Sequence, residues 1–201
     1  MLLTVDVGNT NTVLGVFDET DLRVHWRLTT RREQTADEYG ILVRNLFQGS
    51  KVDPDRIAGV ALASVVPPLT PVLVALARQY LGHEPLVVEP GVKTGMPILY
   101  EPPGDVGADR ILNGVAAFAG YGGPVVVVDF GTATTFDVIT KRGEYAGGVI
   151  CPGIGISADA LFQRAARLPR VDVGHPGHVI GRSTVASMQA GLYFGYAAMC
   201  E

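Results

Sequence analysis

Asp6-Val7-Gly8-Asn9-Thr10-Asn11-Thr12 and Asp129-Phe130-Gly131-Thr132-Ala133-Thr134-Thr135 share the pattern Asp-x-Gly-x-x-x-Thr, and Asp6 stands 123 positions before Asp129. Each copy separates two apolar runs, 2–5 from 12–17 in the first and 125–128 from 133–139 in the second. Each then leads into a third run, at 23–28 and 144–150. Apolar runs of this length broken by Gly-containing turns predict strands joined by hairpins. A unit of this size occurring twice predicts two related α/β domains facing one another, the simplest architecture for the pattern. We place them at residues 1–121 and 122–201.

The intervening sequence supplies the helices. Thr35-Ala36-Asp37-Glu38 has capping-box spacing, Tyr39, Leu42, Val43, Leu46 and Phe47 follow at helical period, and Gly49-Ser50 ends the pattern. A buried strand is expected over 57–65, a helix opened by prolines over 67–80 and a short strand over 85–88. A loop rich in proline and glycine then covers 90–104, and a helix over 107–121 carries Ile111, Val115 and Phe118. In the second half, the glycine-rich run 147–155 leads into a helix whose apolar positions include Ile156, Ala160 and Leu161. Its glycines suit close approach of a ligand or of another backbone. Arg182-Ser183-Thr184 heads a last helix with Met188, Leu192 and Tyr196 on one side and Gly191 and Gly195 beside them. That pattern serves a partner subunit or an internal core helix equally.

Charge and composition remove several classes of function. Lys and Arg number 16 against 20 Asp and Glu, and no basic cluster exceeds Arg31-Arg32, which argues against a nucleic-acid surface. No apolar run reaches the ~20 residues needed to cross a bilayer, and no signal-peptide pattern is present. Cys151 and Cys200 lack CxxC neighbours and read as reduced thiols of a cytoplasmic protein. The four histidines have no Cys or acidic residue at zinc spacing.

What remains is phosphate chemistry. A hairpin of Asp-x-Gly followed by Asn and Thr offers backbone N–H groups, which glycine lets turn toward an anion. Gly8, Asn9, Thr10 and Asn11, and Gly131 in the second copy, form that grip. The hydroxyls of Thr10, Thr12, Thr132, Thr134 and Thr135 donate to phosphate oxygens without adding charge. Asp6 and Asp129 would repel a phosphate and are better placed to bind a cation or hold water. The lysines are Lys51, Lys93 and Lys141, none of them in a G-x-x-x-x-G-K-[ST] motif, so a P-loop kinase is excluded. Gly107-Ala108-Asp109-Arg110 opens a helix, where negative charge is favoured. There Asp109 either caps the helix or accepts a proton from a substrate hydroxyl, and Arg110 either lies in solvent or grips a carboxylate or phosphate.

Taken in order, Asp6-Val7-Gly8-Asn9-Thr10, Gly107-Ala108-Asp109-Arg110, Asp129-Phe130-Gly131-Thr132-Ala133-Thr134, Gly147-Gly148 with Pro152-Gly153, and Gly181-Arg182-Ser183-Thr184 with Gly191 resemble the type III pantothenate kinases. These are members of the acetate kinase, sugar kinase, Hsp70 and actin superfamily. The resemblance implies two actin-like ATPase domains of the ribonuclease H-like type facing across a cleft. The second would be incomplete at its C-terminus, because the chain stops at Glu201 where family members continue. It implies ATP-dependent phosphorylation of pantothenate at its terminal hydroxyl to 4'-phosphopantothenate, the first step of coenzyme A synthesis, with Asp109 as base. Asp6 would belong to the first phosphate loop, and Asp129 to the second phosphate and cation site. Tyr100, Gly107, Ala108, Asp109 and Arg110 would meet pantothenate, and Thr184 would complete the site across a homodimer interface. The resemblance further implies Mg2+ with ATP and a monovalent cation, K+ or NH4+. An accessory regulatory protein of the same fold is the alternative.

Overall fold

The computed structural model describes residues 1–89 and 91–201, so Pro90, the first residue of the loop expected over 90–104, lies outside the described residues. Two compact units, Met1–Ala116 and Ala117–Glu201, divide the chain within its third helix.

In the first unit the N-terminal meander forms as expected, from β1 (Leu2–Val7), β2 (Asn11–Asp18) and β3 (Asp21–Thr29). Alternation along β1 sends Leu3, Val5 and Val7 into the core and leaves Asp6 exposed on the other face. The capping box then starts α1 (Ala36–Gly49). Glu38 N–H donates to Thr35 Oγ1 at 3.3 Å while Glu38 Oε2 accepts from Thr35 N–H at 2.7 Å. The hydrogen bonds that Glu38 Oε2 accepts from the Thr35 N–H and from the Thr35 hydroxyl hold that carboxyl below its ordinary range. The chain continues through β4 (Gly59–Ser64), α2 (Thr70–Leu81) and β5 (Leu86–Val88) into α3 (Ala108–Tyr121). Only part of the run expected as one helix over 67–80 is α-helical, because Pro67–Leu69 makes a separate 3-10 turn ahead of α2. Pro71 lacks the N–H that an α-helix starting at Pro67 would need to donate to the Pro67 carbonyl, and its ring crowds that carbonyl.

The five strands lie in the order β3-β2-β1-β4-β5, with β4 parallel to β1 and β5 parallel to β4. Val5 sits between Leu14 and Leu62 in register, and Tyr39, Val43 and Phe47 of α1 with Leu73, Leu76 and Ala77 of α2 close the core over this face. The consequence for function is positional. β1 and β4 run together toward Val7 and Ser64, so the β1–β2 turn lies at the C-terminal edge of the parallel strands, where open α/β sheets bind ligands.

The second unit contains the meander β6 (Val125–Phe130), β7 (Ala133–Ile139) and β8 (Tyr145–Pro152), all antiparallel, followed by α4 (Ile154–Arg164) and α5 (Thr184–Ala198). The apolar positions expected for α4 are corrected here. Ile156 and Leu161 are 47% and 39% exposed, whereas Ala158 is buried, with Ile154 packed on the same cluster. Their partners are Met188, Leu192 and Tyr196, so the stripe on α5 is spent inside its own unit. Tyr196 adds a polar anchor, its hydroxyl lying 2.6 Å from both Ser157 Oγ and the Pro152 carbonyl. Cys151 and Cys200 are unpaired. Among the described residues no helix is long and apolar enough to cross a membrane.

Candidate phosphate loops and acceptor pocket

The first loop connects β1 to β2 and is held from below. Gly8 N–H donates to Asn11 O at 2.9 Å, closing the turn and leaving Asn9 and Thr10 exposed at its tip. Thr30, just past β3, pins it twice, through its N–H to Thr10 O at 2.9 Å and its hydroxyl to Gly8 O at 2.7 Å. Thr12 is fully buried, with Oγ1 3.0 Å from Thr30 Oγ1. Because Thr30's single hydroxyl proton goes to Gly8, Thr12 must be the donor in that pair. Thr12 therefore braces the loop from inside.

The second loop is one residue shorter. Gly131 N–H donates to Ala133 O at 2.9 Å, and Gly131 and Thr132 stand exposed. The strand registers, Val7 opposite Thr12 and Phe130 opposite Thr134, make Thr134 the structural counterpart of Thr12. The constant spacing of 123 had paired Thr12 with Thr135; the shorter turn displaces the match by one. Thr134 is also fully buried, but its hydroxyl has no hydrogen-bond partner among the described residues. The two threonines should respond differently to loss of the hydroxyl. Thr12→Val is expected to cost about 1 kcal/mol of stability, and Thr134→Val nothing or a gain. Thermal unfolding of the two variants side by side measures this, and equal losses would contradict it.

Behind this loop, Gly153 resolves the open question about the glycine-rich run in favour of backbone contact at that position. Its N–H donates to Thr132 O at 3.1 Å, and a Cβ there would overlap the carbonyl oxygens of Gly131 and Thr132. Asp129 faces Thr135 across the β6–β7 pair and is exposed. On the same face of β7, Asp137 is fully buried and accepts hydrogen bonds from Tyr145 Oη at 2.7 Å and Thr135 Oγ1 at 3.2 Å. Sequence reading missed Thr30 and Asp137. An acidic residue inside the apolar alternation Phe136-Asp137-Val138-Ile139 was a readable signal for Asp137, but nothing local marks Thr30.

Asp109 lies in the first turn of α3, half-buried, with Oδ1 accepting from the Arg110 N–H at 2.8 Å. A Cβ at Gly107 would stand 2.6 Å from the same oxygen, so glycine there leaves the carboxylate its place. Arg110 is 8% exposed, which removes the solvated alternative for its side chain. Beside this turn a cavity of about 290 Å³ opens where β4 and β5 end, lined by residues including Ser64, Val88, Glu89, Gly107 and Ala108. Tyr100 is half-buried in the same unit, and Thr184, in the second unit, is exposed at the start of α5, behind the Ser183 cap.

A family model described as type III pantothenate kinase matches residues 2–201. The chain belongs to that family. A type III pantothenate kinase from Moorella thermoacetica is 58% identical over 201 residues, which are all of this chain and 79% of the relative. Another from Koribacter versatilis is 58% identical over 211 aligned positions, covering all of this chain and 77% of the relative. Among solved structures, a Sinorhizobium meliloti protein named for 2-dehydro-3-deoxygalactonokinase aligns with TM-score 0.58 at 12% identity over 98% of this chain and 79% of that one. A Campylobacter jejuni protein named for the Baf family of transcriptional activators aligns with TM-score 0.56 at 18% identity, over 98% of this chain and 77% of that one. At those identities the likeness is one of fold alone.

Proposed function

We propose that this protein transfers the γ-phosphoryl group of ATP to the terminal hydroxyl of pantothenate, and the family match across residues 2–201 carries that reading. Asp109 accepts the hydroxyl proton as the acceptor oxygen bonds to the γ-phosphorus and ADP departs. One positioned carboxylate suffices, because phosphoryl transfer depends mainly on alignment and electrostatics. The pocket at the ends of β4 and β5 supports an acceptor of small-molecule size next to that residue. Arg110 is assigned to the acceptor with Tyr100, Gly107 and Ala108.

The first loop, with Asp6, Gly8, Asn9, Thr10 and Asn11, is assigned to the nucleotide, as is the second, with Gly131 and Thr132. Thr12 and Thr134 act as the buried base of each loop. Among the described residues no three His, Cys, Asp or Glu side chains are grouped to cage a metal, while Asp6 and Asp129 are exposed single carboxylates. That donor set fits Mg2+ carried on the phosphates, which usually takes only one or two protein carboxylates. There the ion would supply positive charge to offset that of the polyphosphate. Asp129 is further assigned to a monovalent cation, K+ or NH4+, and Thr184 to the acceptor site of a second subunit in a homodimer.

Release of ADP that requires both ATP and pantothenate tests the reaction, with other small hydroxy acids as controls. ADP release at the same rate without pantothenate would overturn it. Asp129→Ala is expected to weaken ATP binding and flatten its dependence on Mg2+ and K+. Calorimetric titrations with and without each ion read this out, and identical affinity and ion dependence in parent and variant would make Asp129 a structural residue.

A further inference from the structure

Arg31-Arg32 is a basic pair that no cluster in the sequence exceeds, and the roles assigned so far leave it unused. The two residues diverge in the structure. Arg31 acts electrostatically on Glu38 of the capping box. Arg32 turns the other way, and its Nη2 donates to Asn9 Oδ1 at the tip of the first loop, at 3.3 Å.

Arg32 is exposed, and among the described residues no carboxylate lies within 4.0 Å of its guanidinium. Three other arginines of this unit are committed elsewhere. Arg56 pairs with Asp18, Arg78 with Glu84, and Arg44 stacks on Tyr80. Arg32 thus has one hydrogen bond, to a neutral amide, from a fork of five donors. The double pin through Thr30 fixes the segment that carries it, since Thr30 N–H holds Thr10 O and Thr30 Oγ1 holds Gly8 O. The loop itself contains Asp6, Asn9, Thr10 and Asn11 and no cation, whereas the substrate assigned to it is a polyanion.

We propose that Arg32 is a phosphate-contacting residue, delivering positive charge to the nucleotide's polyphosphate at the Asn9–Thr10 tip from outside the Asp-x-Gly motif. This rests on the assignment of the first loop to the nucleotide. A guanidinium already hydrogen-bonded to the loop needs little reorganisation to add a phosphate oxygen, and that anionic oxygen attracts the cation more strongly than the neutral Asn9 amide does. The competing role is mechanical, with Arg32 only steadying Asn9.

Three substitutions separate the roles. Arg32→Ala removes both charge and donor, Arg32→Lys keeps charge, and Arg32→Gln keeps a neutral donor for Asn9. Mg-ATP and inorganic tripolyphosphate are titrated calorimetrically into each protein, and KM for ATP and for pantothenate is measured separately. We expect Arg32→Ala to weaken both anions and raise KM for ATP about tenfold, with KM for pantothenate unchanged. Arg32→Lys should recover much of that loss and Arg32→Gln little. Added salt should weaken the parent more than the alanine variant. Parent-like ATP affinity in Arg32→Ala, or rescue by Gln equal to that by Lys, overturns the proposal, as does a parent protein that binds neither anion. If the parent binds ATP with this dependence on Arg32 but does not phosphorylate pantothenate, the acceptor reading fails and the role of Arg32 stands.

Discussion

Asp109→Asn should reduce phosphoryl transfer by about two to four orders of magnitude while leaving the fold and ATP affinity close to those of the parent. The substitution preserves volume, and the Asn oxygen can still accept the Arg110 N–H that Asp109 Oδ1 accepts at 2.8 Å, so the first turn of α3 keeps its local bond. What disappears is the proton acceptor. Circular dichroism and ATP titration check the unchanged properties, and a single-turnover assay checks the rate; one-third of the parent rate in the variant would remove Asp109 from the role of base. The same variant tests the shared acceptor site. Mixing inactive Asp109→Asn chains with inactive Thr184→Ala chains after dissociation should restore activity, because a heterodimer of two-fold symmetry regains one intact composite site. No recovery, or sedimentation as a monomer at assay concentration, argues against Thr184 acting across subunits.

Gly153→Ala should be among the most damaging single-methyl changes in the second unit. The new Cβ would overlap the carbonyl oxygens of both Gly131 and Thr132, and these are backbone atoms, which cannot swing aside as a side-chain tip can. Backbone dihedrals are not the obstacle, since φ at Gly153 is -68°, open to any residue. The expected cost is about 1–3 kcal/mol of stability from overpacking. Alongside it should come a loss of ATP affinity, because the displaced segment is the exposed tip of the second loop. Chemical denaturation and ATP titration separate the two effects. A stable variant that binds ATP like the parent would show that this loop tolerates displacement, and the second-loop assignment would lose its support. Gly155→Ala is the control, because a Cβ at that position meets nothing within 4 Å.

Much of this arrangement was legible before any coordinates. The strands flanking each Asp-x-Gly turn follow from apolar runs broken by glycine, and α1 follows from the reciprocal bonds of Thr35 and Glu38, whose partners lie three residues apart. Both are local signals, written in short windows of sequence. Family membership was legible for a related reason: the order of five short motifs survives even where each alone is weak.

Features that depend on residues distant in sequence were not legible. A constant spacing paired Thr12 with Thr135, but the two turns close over different lengths, Gly8 to Asn11 and Gly131 to Ala133, and cross-strand pairing makes Thr134 the counterpart. Helical spacing alone could not say whether Met188, Leu192 and Tyr196 face a partner or their own core; Ala158, some thirty residues earlier, settles it by packing against them. Arg32 read as half of a small basic pair because its link to Asn9 spans 23 residues and exists only once β3 has paired with β2. The sequence by itself determined the strands, caps and turns that set each backbone path. Tertiary structure decided which side chains those paths bring together, because strand register and loop closure depend on contacts that no local window contains.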